Sequence, residues 1–414
     1  MALARYRDDA LYVENVSLAD IAEQYQTPCF VYSKMALSLA YEAYCDALAG
    51  HNALICYAVK ANSNLAILNL YARLGAGFDI VSGGELARVI AAGGDTQKVV
   101  FSGVGKSRDE ISMALESGIK CFNVESASEL ERINHIAGNM SLVAPVSMRV
   151  NPDVDAKTHP YISTGLKNSK FGVAYDDARP LYRRASQLKN IRICGIDCHI
   201  GSQLLDPAPA ADAAKKILTL VDQLLADGVA LEHIDIGGGM GIRYKDELDI
   251  SVAEYLAPLL KHLKGRKEML LLEPGRSLVG NAGLLLTRVE VIKPGASKNF
   301  AVVDAAMNDL MRPALYDAWH DICQVKRHDE EQCHYEVVGP VCESGDFLGH
   351  DRSLAIYEDD LLAIMSAGAY GMSMSSNYNS RPRAAEVMVD GDQTFLIRQR
   401  ESVAELFAGE HRLP

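Results

Sequence analysis

Eight short apolar runs, spaced so that a helical stretch fits between neighbours, are the feature that most limits the folds open to this chain. The runs are Ile55 to Val59, Gly77 to Val81, Val99 to Ser102, Cys121 to Val124, Pro145 to Val150, Ile191 to His199, His233 to Ile236 and Met269 to Leu272. Each ends in polar or glycine residues. Between them, stretches such as Gly84 to Ala92, Arg108 to Ser117 and Ala211 to Asp227 place apolar residues at i, i+3 and i+4. Eight strand-helix units over roughly 230 residues suit a (β/α)8 TIM-type barrel. A doubly wound open sheet would use the same alternation.

The period changes after the eighth unit. Leu284 to Val291, Phe300 to Val303, Tyr335 to Val338, Leu361 to Ser366 and Val387 to Arg398 read as strands, and Asp390-Gly391 inside the last run is a type I′ hairpin signal. The first residues hold a strand at Ala10 to Val13, a helix capped by Ser17 and a strand at Cys29 to Tyr32. The expectation is an α/β protein in two domains. Residues 36–280 form the barrel, and a mostly β domain of residues 281–414 also takes in residues 1–35.

Composition narrows the functional classes. At 414 residues, 49% hydrophobic and 23% charged, the chain is an ordinary globular one with length for a large core. A net charge of -13 argues against a nucleic acid or anionic membrane as partner. The start, Met1-Ala2-Leu3-Ala4-Arg5, turns charged too soon for a signal peptide, and no apolar stretch approaches a membrane span, so a cytoplasmic location is expected. Nine cysteines without a CxxC pair fit reduced thiols. Cys194-x3-Cys198-His199 is the nearest approach to a metal signature. On a strand its histidine faces away from both thiols, so no metal site is expected.

A barrel places its chemistry at the C-terminal ends of its strands, and these ends are loaded. They carry Lys60 and Asn62, Asp79 with Ser82-Gly83-Gly84-Glu85, Glu125, Arg149 and Asn151, His199 and Ser202, Gly237-Gly238-Gly239, and Glu273-Pro274-Gly275-Arg276. Lys60 closes an apolar strand, where a desolvated amine becomes a nucleophile able to form a Schiff base. The triple glycine can present backbone N–H groups to a phosphate, although a plain tight turn uses the same residues. It is no Walker loop, since the lysine and hydroxyl pair is missing, and no acidic strand end follows at dinucleotide spacing. Glu273 suits a cationic ring nitrogen, Arg276 a carboxylate, and His199 the face of an aromatic ring. Taken together these groups describe a site for pyridoxal 5'-phosphate.

The segments Tyr57-Ala58-Val59-Lys60-Ala61-Asn62, Phe78-Asp79-Ile80-Val81-Ser82-Gly83-Gly84-Glu85, His199-Ile200-Gly201-Ser202-Gln203, Gly237-Gly238-Gly239 and Glu273-Pro274-Gly275-Arg276 resemble the alanine-racemase-fold, pyridoxal-phosphate-dependent decarboxylases. The resemblance runs from about residue 10 to the C-terminus. It is closest to members that convert meso-2,6-diaminopimelate to L-lysine and carbon dioxide, the last step of lysine biosynthesis. Asn151-Pro152-Asp153, Thr158-His159-Pro160-Tyr161-Ile162-Ser163-Thr164-Gly165 and Lys170-Phe171-Gly172 are characteristic of that group. The resemblance implies that Lys60 holds the cofactor covalently, with Asp79 close by. Glu273 would bind the ring nitrogen and His199 would stack on the ring. Ser202, Gly237, Gly238, Gly239 and the Pro274-Gly275-Arg276 turn would surround the phosphate, together with Tyr370.

It further implies that Arg276, Arg312, Tyr316, Glu343 and Tyr370 hold the substrate. Cys342 would be the general acid, supplied across the interface of a head-to-tail homodimer. The substrate carries an amino-acid group at each end, so a selective pocket needs a carboxylate binder and an ammonium binder beyond the reacting carbon. Arg312 and Tyr316, at i and i+4, would share a helix face, and Glu343 has the opposite charge. A decarboxylase for carboxynorspermidine or a carrier-bound acidic amino acid, an amino-acid racemase and a cofactor carrier are the other readings. A racemase needs a base on each ring face, and a carrier would lack the β domain.

Overall fold

The computed structural model describes residues 3–154 and 170–414. The characteristic stretch from Thr158 to Gly165 therefore lies outside the described residues. Among those described, the chain divides into two compact units. One comprises Tyr41–Ile242 and Leu248–Ser277; the other comprises Met1–Ala40, Arg243–Glu247 and Leu278–Pro414.

The first unit is a closed barrel of eight parallel strands: β1 (Ala53–Ala58), β2 (Gly77–Ile80), β3 (Val99–Phe101), β4 (Cys121–Val124), β5 (Ala144–Asn151), β6 (Ile191–Asp197), β7 (His233–Asp235) and β8 (Met269–Leu272). The strands pair in chain order, and Leu270 to Leu272 of β8 lie beside Ala53 to Ile55 of β1, which closes the ring. The open-sheet alternative is excluded by that closing pair. Strands this apolar need cover on both faces, and the intervening helices supply it. Gly83–Ala91, Arg108–Glu116 and Ala208–Ala226 lie at or near the expected positions, and Ala127–Asn139 joins them. Local chemistry starts them. Ser107 accepts from Glu110 N while the Glu110 carboxylate accepts from the Ser107 N–H, and Ser82 and Ser126 accept from Glu85 N and Glu129 N at the starts of their helices. At the barrel floor Cys56, Val100, Cys121, Cys194 and Leu271 pack together.

The second unit is built on a mixed sheet of β9 (Gly283–Lys293), β10 (Asn299–Val303), β11 (Ile322–Gln324), β12 (Cys333–Val338), β13 (Phe347–Leu354), β14 (Leu361–Ile364), β15 (Ala385–Asp390) and β16 (Gln393–Arg398). The N-terminal strand Cys29–Ser33 lies between β9 and β15, antiparallel to the first and parallel to the second. All five of its residues are buried, which is why it reads as an unbroken apolar run. Strands β11 and β13 escape the sequence reading, because β11 is three residues long and β13 is broken by His350, Asp351 and Arg352. The hairpin forms with a shifted turn. Asp390 pairs with Gln393, so Gly391 and Asp392 are the loop residues, and only Gly391 is left-handed at φ 65°. That is the pattern of a II′ turn rather than I′.

Candidate active site

Lys60 stands just past the end of β1, on a single 3-10 turn of Val59–Ala61, and not on the strand itself. Its Nζ lies 2.6 Å from Asp79 Oδ2 on β2. Asp79 is fully buried, and its other oxygen has no hydrogen-bond partner among the described residues. Around the same barrel end, Asp197 of β6, Asp235 of β7 and Glu273 after β8 bring their carboxylates within 4.8 Å of one another. Asn123 Nδ2 is 3.4 Å from Glu273 Oε1. Arg149 of β5 reaches Glu125 at 3.2 Å and Asp197 at 3.8 Å.

Carboxylates outnumber cations in this space, and the charge balance follows. Burial, reinforced by Asp235, Asp79 and Asp197, pushes the Glu273 carboxyl well above its usual range against the pull of Lys60. Burial and Asp235 do the same to Asp197. Asp235 is pushed up to about 7, chiefly by burial. Burial also works against the Arg149 charge, but Asp197 and Glu125 outweigh it and keep the guanidinium protonated. His199 is held neutral by burial and by the nearby positive charges of Arg149 and Lys60. Its Nδ1 accepts the Gly238 N–H at 3.3 Å, a bond that an imidazolium could not accept.

The glycine loop is shaped by close approach. A Cβ on Gly238 would lie 2.1 Å from the Glu273 carbonyl oxygen, one on Gly237 would lie 2.7 Å from that of Cys198, and one on Gly239 would lie 2.6 Å from that of Gly201. Gly237 and Gly239 are also left-handed, with φ of 69° and 107°. No other residue fits these three positions without moving the backbone. The Gly237 N–H donates to Asp235 Oδ1 at 2.8 Å, so the first two amides of the loop are engaged within the barrel. The Pro274 carbonyl accepts from Ala58 N at 3.0 Å, tying the turn after β8 to β1. A Cβ on Gly275 would meet Ala58 and Ala61. Arg276 Nη2 donates to Ser202 Oγ at 3.2 Å.

A pyridoxal phosphate fits the chemistry of this donor set. Lys60 offers the amine, and buried carboxylates with unpartnered oxygens offer a place for a cationic ring nitrogen. Ser202 and a loop with no room for side chains offer a phosphate cradle. Asp197, Asp235 and Asn123 were not singled out from the sequence as site residues. Their signal was available, since each is a polar residue within or closing an otherwise apolar strand.

Cys194 does not join Cys198 and His199. It lies at the barrel floor with Cys121 and His233, where Cys121 Sγ is 3.7 Å from His233 Nε2. The Cys194 thiol donates to the Val146 carbonyl at 3.2 Å.

In the second unit, Arg312 and Tyr316 are the first and last residues of the short helix Arg312–Tyr316, with Arg312 buried. Cys342 and Glu343 are exposed. Their loop is held at its base by buried Asp346, which accepts from Met307 N at 2.7 Å and Val341 N at 2.8 Å. The Cys342 N–H donates to Asn379 Oδ1 at 2.8 Å. Tyr370 adopts a left-handed φ of 57°, uncommon for an aromatic residue. It follows Gly368, whose absent Cβ would lie 1.9 Å from the Val279 carbonyl oxygen. His320 and Tyr244, which surround Arg312, carried no signal in the sequence.

Residues 36–280 match the family model described as the pyridoxal binding domain of pyridoxal-dependent decarboxylases. The chain is 58% identical over 409 residues to a diaminopimelate decarboxylase of Pseudomonas aeruginosa, covering 99% of each chain. It is 56% identical over 411 residues to one of Vibrio cholerae, again covering 99% of each. A crystal structure of diaminopimelate decarboxylase from Helicobacter pylori complexed with L-lysine superposes with a TM-score of 0.92 at 42% identity, over 95% of this chain and 99% of that one.

Proposed function

The chain belongs to the diaminopimelate decarboxylases, within the pyridoxal-dependent decarboxylase family, and on that premise we propose how its residues turn meso-2,6-diaminopimelate into L-lysine and carbon dioxide. The observation that carries the reading is the barrel mouth. Lys60, Asp79, His199, the glycine loop and Glu273 stand at strand ends around an excess of buried carboxylate.

Pyridoxal phosphate, when bound, supplies the electron sink that accepts the pair left behind by carbon dioxide. Lys60 would anchor it covalently, with Asp79 holding the ammonium form before the cofactor arrives. Glu273 would bind the ring nitrogen and keep it protonated. That cation would compensate the charge which burial otherwise makes costly. Neutral His199 would lie against the ring. Because the Gly237 and Gly238 amides are engaged, Gly239, the Gly275-Arg276 backbone and the Ser202 hydroxyl would hold the phosphate, with Tyr370 adding a hydroxyl. The exclusion of side chains at Gly237 and Gly238 brings the backbone close enough for that cradle.

Arg276, Arg312, Tyr316 and Tyr370 would hold the substrate's carboxylates, and Glu343 its distal ammonium. Cys342 would return a proton to the carbon that has lost its carboxylate. Its place on an exposed loop supports delivery to the site of a second copy of this chain in a homodimer. Nine free cysteines fit a reducing, cytoplasmic location. Among the described residues no helix is long and apolar enough to cross a membrane.

The test is direct. Purified protein with pyridoxal phosphate and meso-diaminopimelate should release lysine and carbon dioxide, and borohydride reduction followed by peptide mapping should label Lys60. Absence of lysine, or a label elsewhere, overturns the reading. Mixing Lys60→Ala and Cys342→Ala proteins tests the shared site, because random dimers should recover about a quarter of wild-type activity. No recovery refutes the interface.

A further inference from the structure

The floor of the barrel, at the other end of the strands from Lys60, holds a soft donor set that the decarboxylation does not use. Cys121 of β4, Cys194 of β6 and His233 of β7 are buried, and one donor atom from each lies within 4.8 Å of the others. Cys56 of β1 and Met269 of β8 extend this into a sulfur-rich layer, where barrels ordinarily place branched aliphatic residues. Thiols alone would pack there as small hydrophobes, but an imidazole is costly in such a layer unless a partner satisfies it. Among the described residues the one hydrogen-bond partner of the His233 ring is the Cys121 sulfur, at 3.7 Å. Gly195 makes room for the ring, since a Cβ there would lie 2.1 Å from His233 Nε2. Burial keeps the imidazole neutral, with a pKa lowered to about 3, while Cys194 and burial push the Cys121 thiol well above its usual range.

The spacing suits a soft divalent cation. Zinc bonds of about 2.3 Å to sulfur and about 2.0 Å to nitrogen, at tetrahedral angles, put the two donors about 3.6 Å apart, and Cys121 Sγ and His233 Nε2 stand 3.7 Å apart. Two thiolates, one imidazole and a divalent ion sum to zero, so the filled site buries no net charge. With no carboxylate among the three donors, magnesium and calcium are disfavoured. A cavity of about 270 Å3 borders Cys194 and His233 and has exposed Arg192 and Glu232 at its rim, which gives a way in and room for a water as fourth ligand. We propose that Cys121, Cys194 and His233 form a zinc-class metal site in the barrel floor, tying β4, β6 and β7 together away from the chemistry. On binding, each thiol gives its proton to solvent and its sulfur gains a bond to the metal, while His233 binds through unprotonated Nε2. The Cys121 contact with Asn123 Oδ1 and the Cys194 hydrogen bond to the Val146 carbonyl are given up.

The experiment uses the pyridoxal-phosphate holoenzyme, reduced and washed with chelator, with the exposed thiols of Cys45, Cys333 and Cys342 blocked by N-ethylmaleimide. Titration with cadmium should raise a thiolate-to-metal charge-transfer absorption that saturates near one equivalent, with about two protons released per metal. Zinc should displace the cadmium and raise the melting temperature. Cys121→Ala and His233→Gln should stay folded by circular dichroism, bind either metal about a hundredfold or more weakly, and lose the zinc-dependent rise in melting temperature. Cys45→Ser, which changes a thiol remote from the floor cluster, should behave as wild type. No charge-transfer absorption in the wild type overturns the site, and so does wild-type affinity in Cys121→Ala or His233→Gln, because the metal is then held elsewhere. Should either variant not fold, Cys194→Ser, which keeps a donor for the Val146 carbonyl, carries the same test, and undiminished binding there overturns the proposal.

Discussion

The barrel mouth and the Cys342 loop are both assigned to one reaction, yet they are built by opposite means. At the mouth, Asp79, Asp197, Asp235 and Glu273 are buried at strand ends, where burial together with Asp235 and Asp79 raises the Glu273 and Asp197 carboxyls and none can move without disturbing a strand. The loop leaves Cys342 and Glu343 exposed, holding its base through Asp346 and its backbone at Cys342 through Asn379. The difference fits the tasks proposed for them. Holding a charged ring requires low dielectric and fixed partners, whereas delivering a proton across a subunit interface requires a group that a single chain leaves uncovered.

The contrast can be broken at its strongest point first. Lys60→Ala should remain folded by circular dichroism while carbon dioxide release falls by about a thousandfold or more. Near-normal release would remove the lysine from the chemistry. Cys342→Ala should lower kcat about a hundredfold with the cofactor still bound and visible by its absorbance. A wild-type kcat would return the exposed loop to a merely structural part.

Asp346→Ala tests whether the loop's base is its anchor. One buried amide, of Val341, and one half-buried amide, of Met307, lose their acceptor, so stability should fall by roughly 2 to 4 kcal/mol in denaturant titrations, with cofactor absorbance intact. An unchanged midpoint would show that the loop is held elsewhere. The smallest effect concerns the mouth without its cofactor. The Asp235 carboxyl has a folded pKa raised to about 7. Its contribution is therefore fully present below the ordinary aspartate range near 4 and is lost as pH rises through 7. Melting temperatures of the apoprotein should drop across that window, and Asp235→Asn should flatten the drop. A profile that is the same in both proteins would mean the carboxylate stays charged.

Much of the barrel was legible because its signals are local. Lys60, the Glu273-Pro274-Gly275-Arg276 turn and the run Gly237-Gly238-Gly239 stand out within a few residues of sequence. The N-terminal strand Cys29–Ser33 could be found by its unbroken apolar run, but its seat between β9 and β15 depends on pairing with residues more than two hundred positions away. The hairpin near Asp390 was visible from its turn chemistry, yet the register of β15 against β16 moved the loop by one residue.

The sequence by itself determined the periods, the capped helices and the lysine just past β1, since each is decided by steric and hydrogen-bonding preferences of near neighbours, whereas the requirement for glycine at Gly237, Gly238 and Gly239 comes from backbone carbonyls distant in sequence. Only the tertiary structure decided that Asp197, Asp235 and Glu273 bring their carboxylates together, that Cys194 faces the floor rather than the mouth, and that Arg312 meets His320 and Tyr244. Those outcomes depend on strand register and on side chains meeting across the fold. Burial then turns such meetings into large electrostatic effects that no neighbouring residue in the sequence announces.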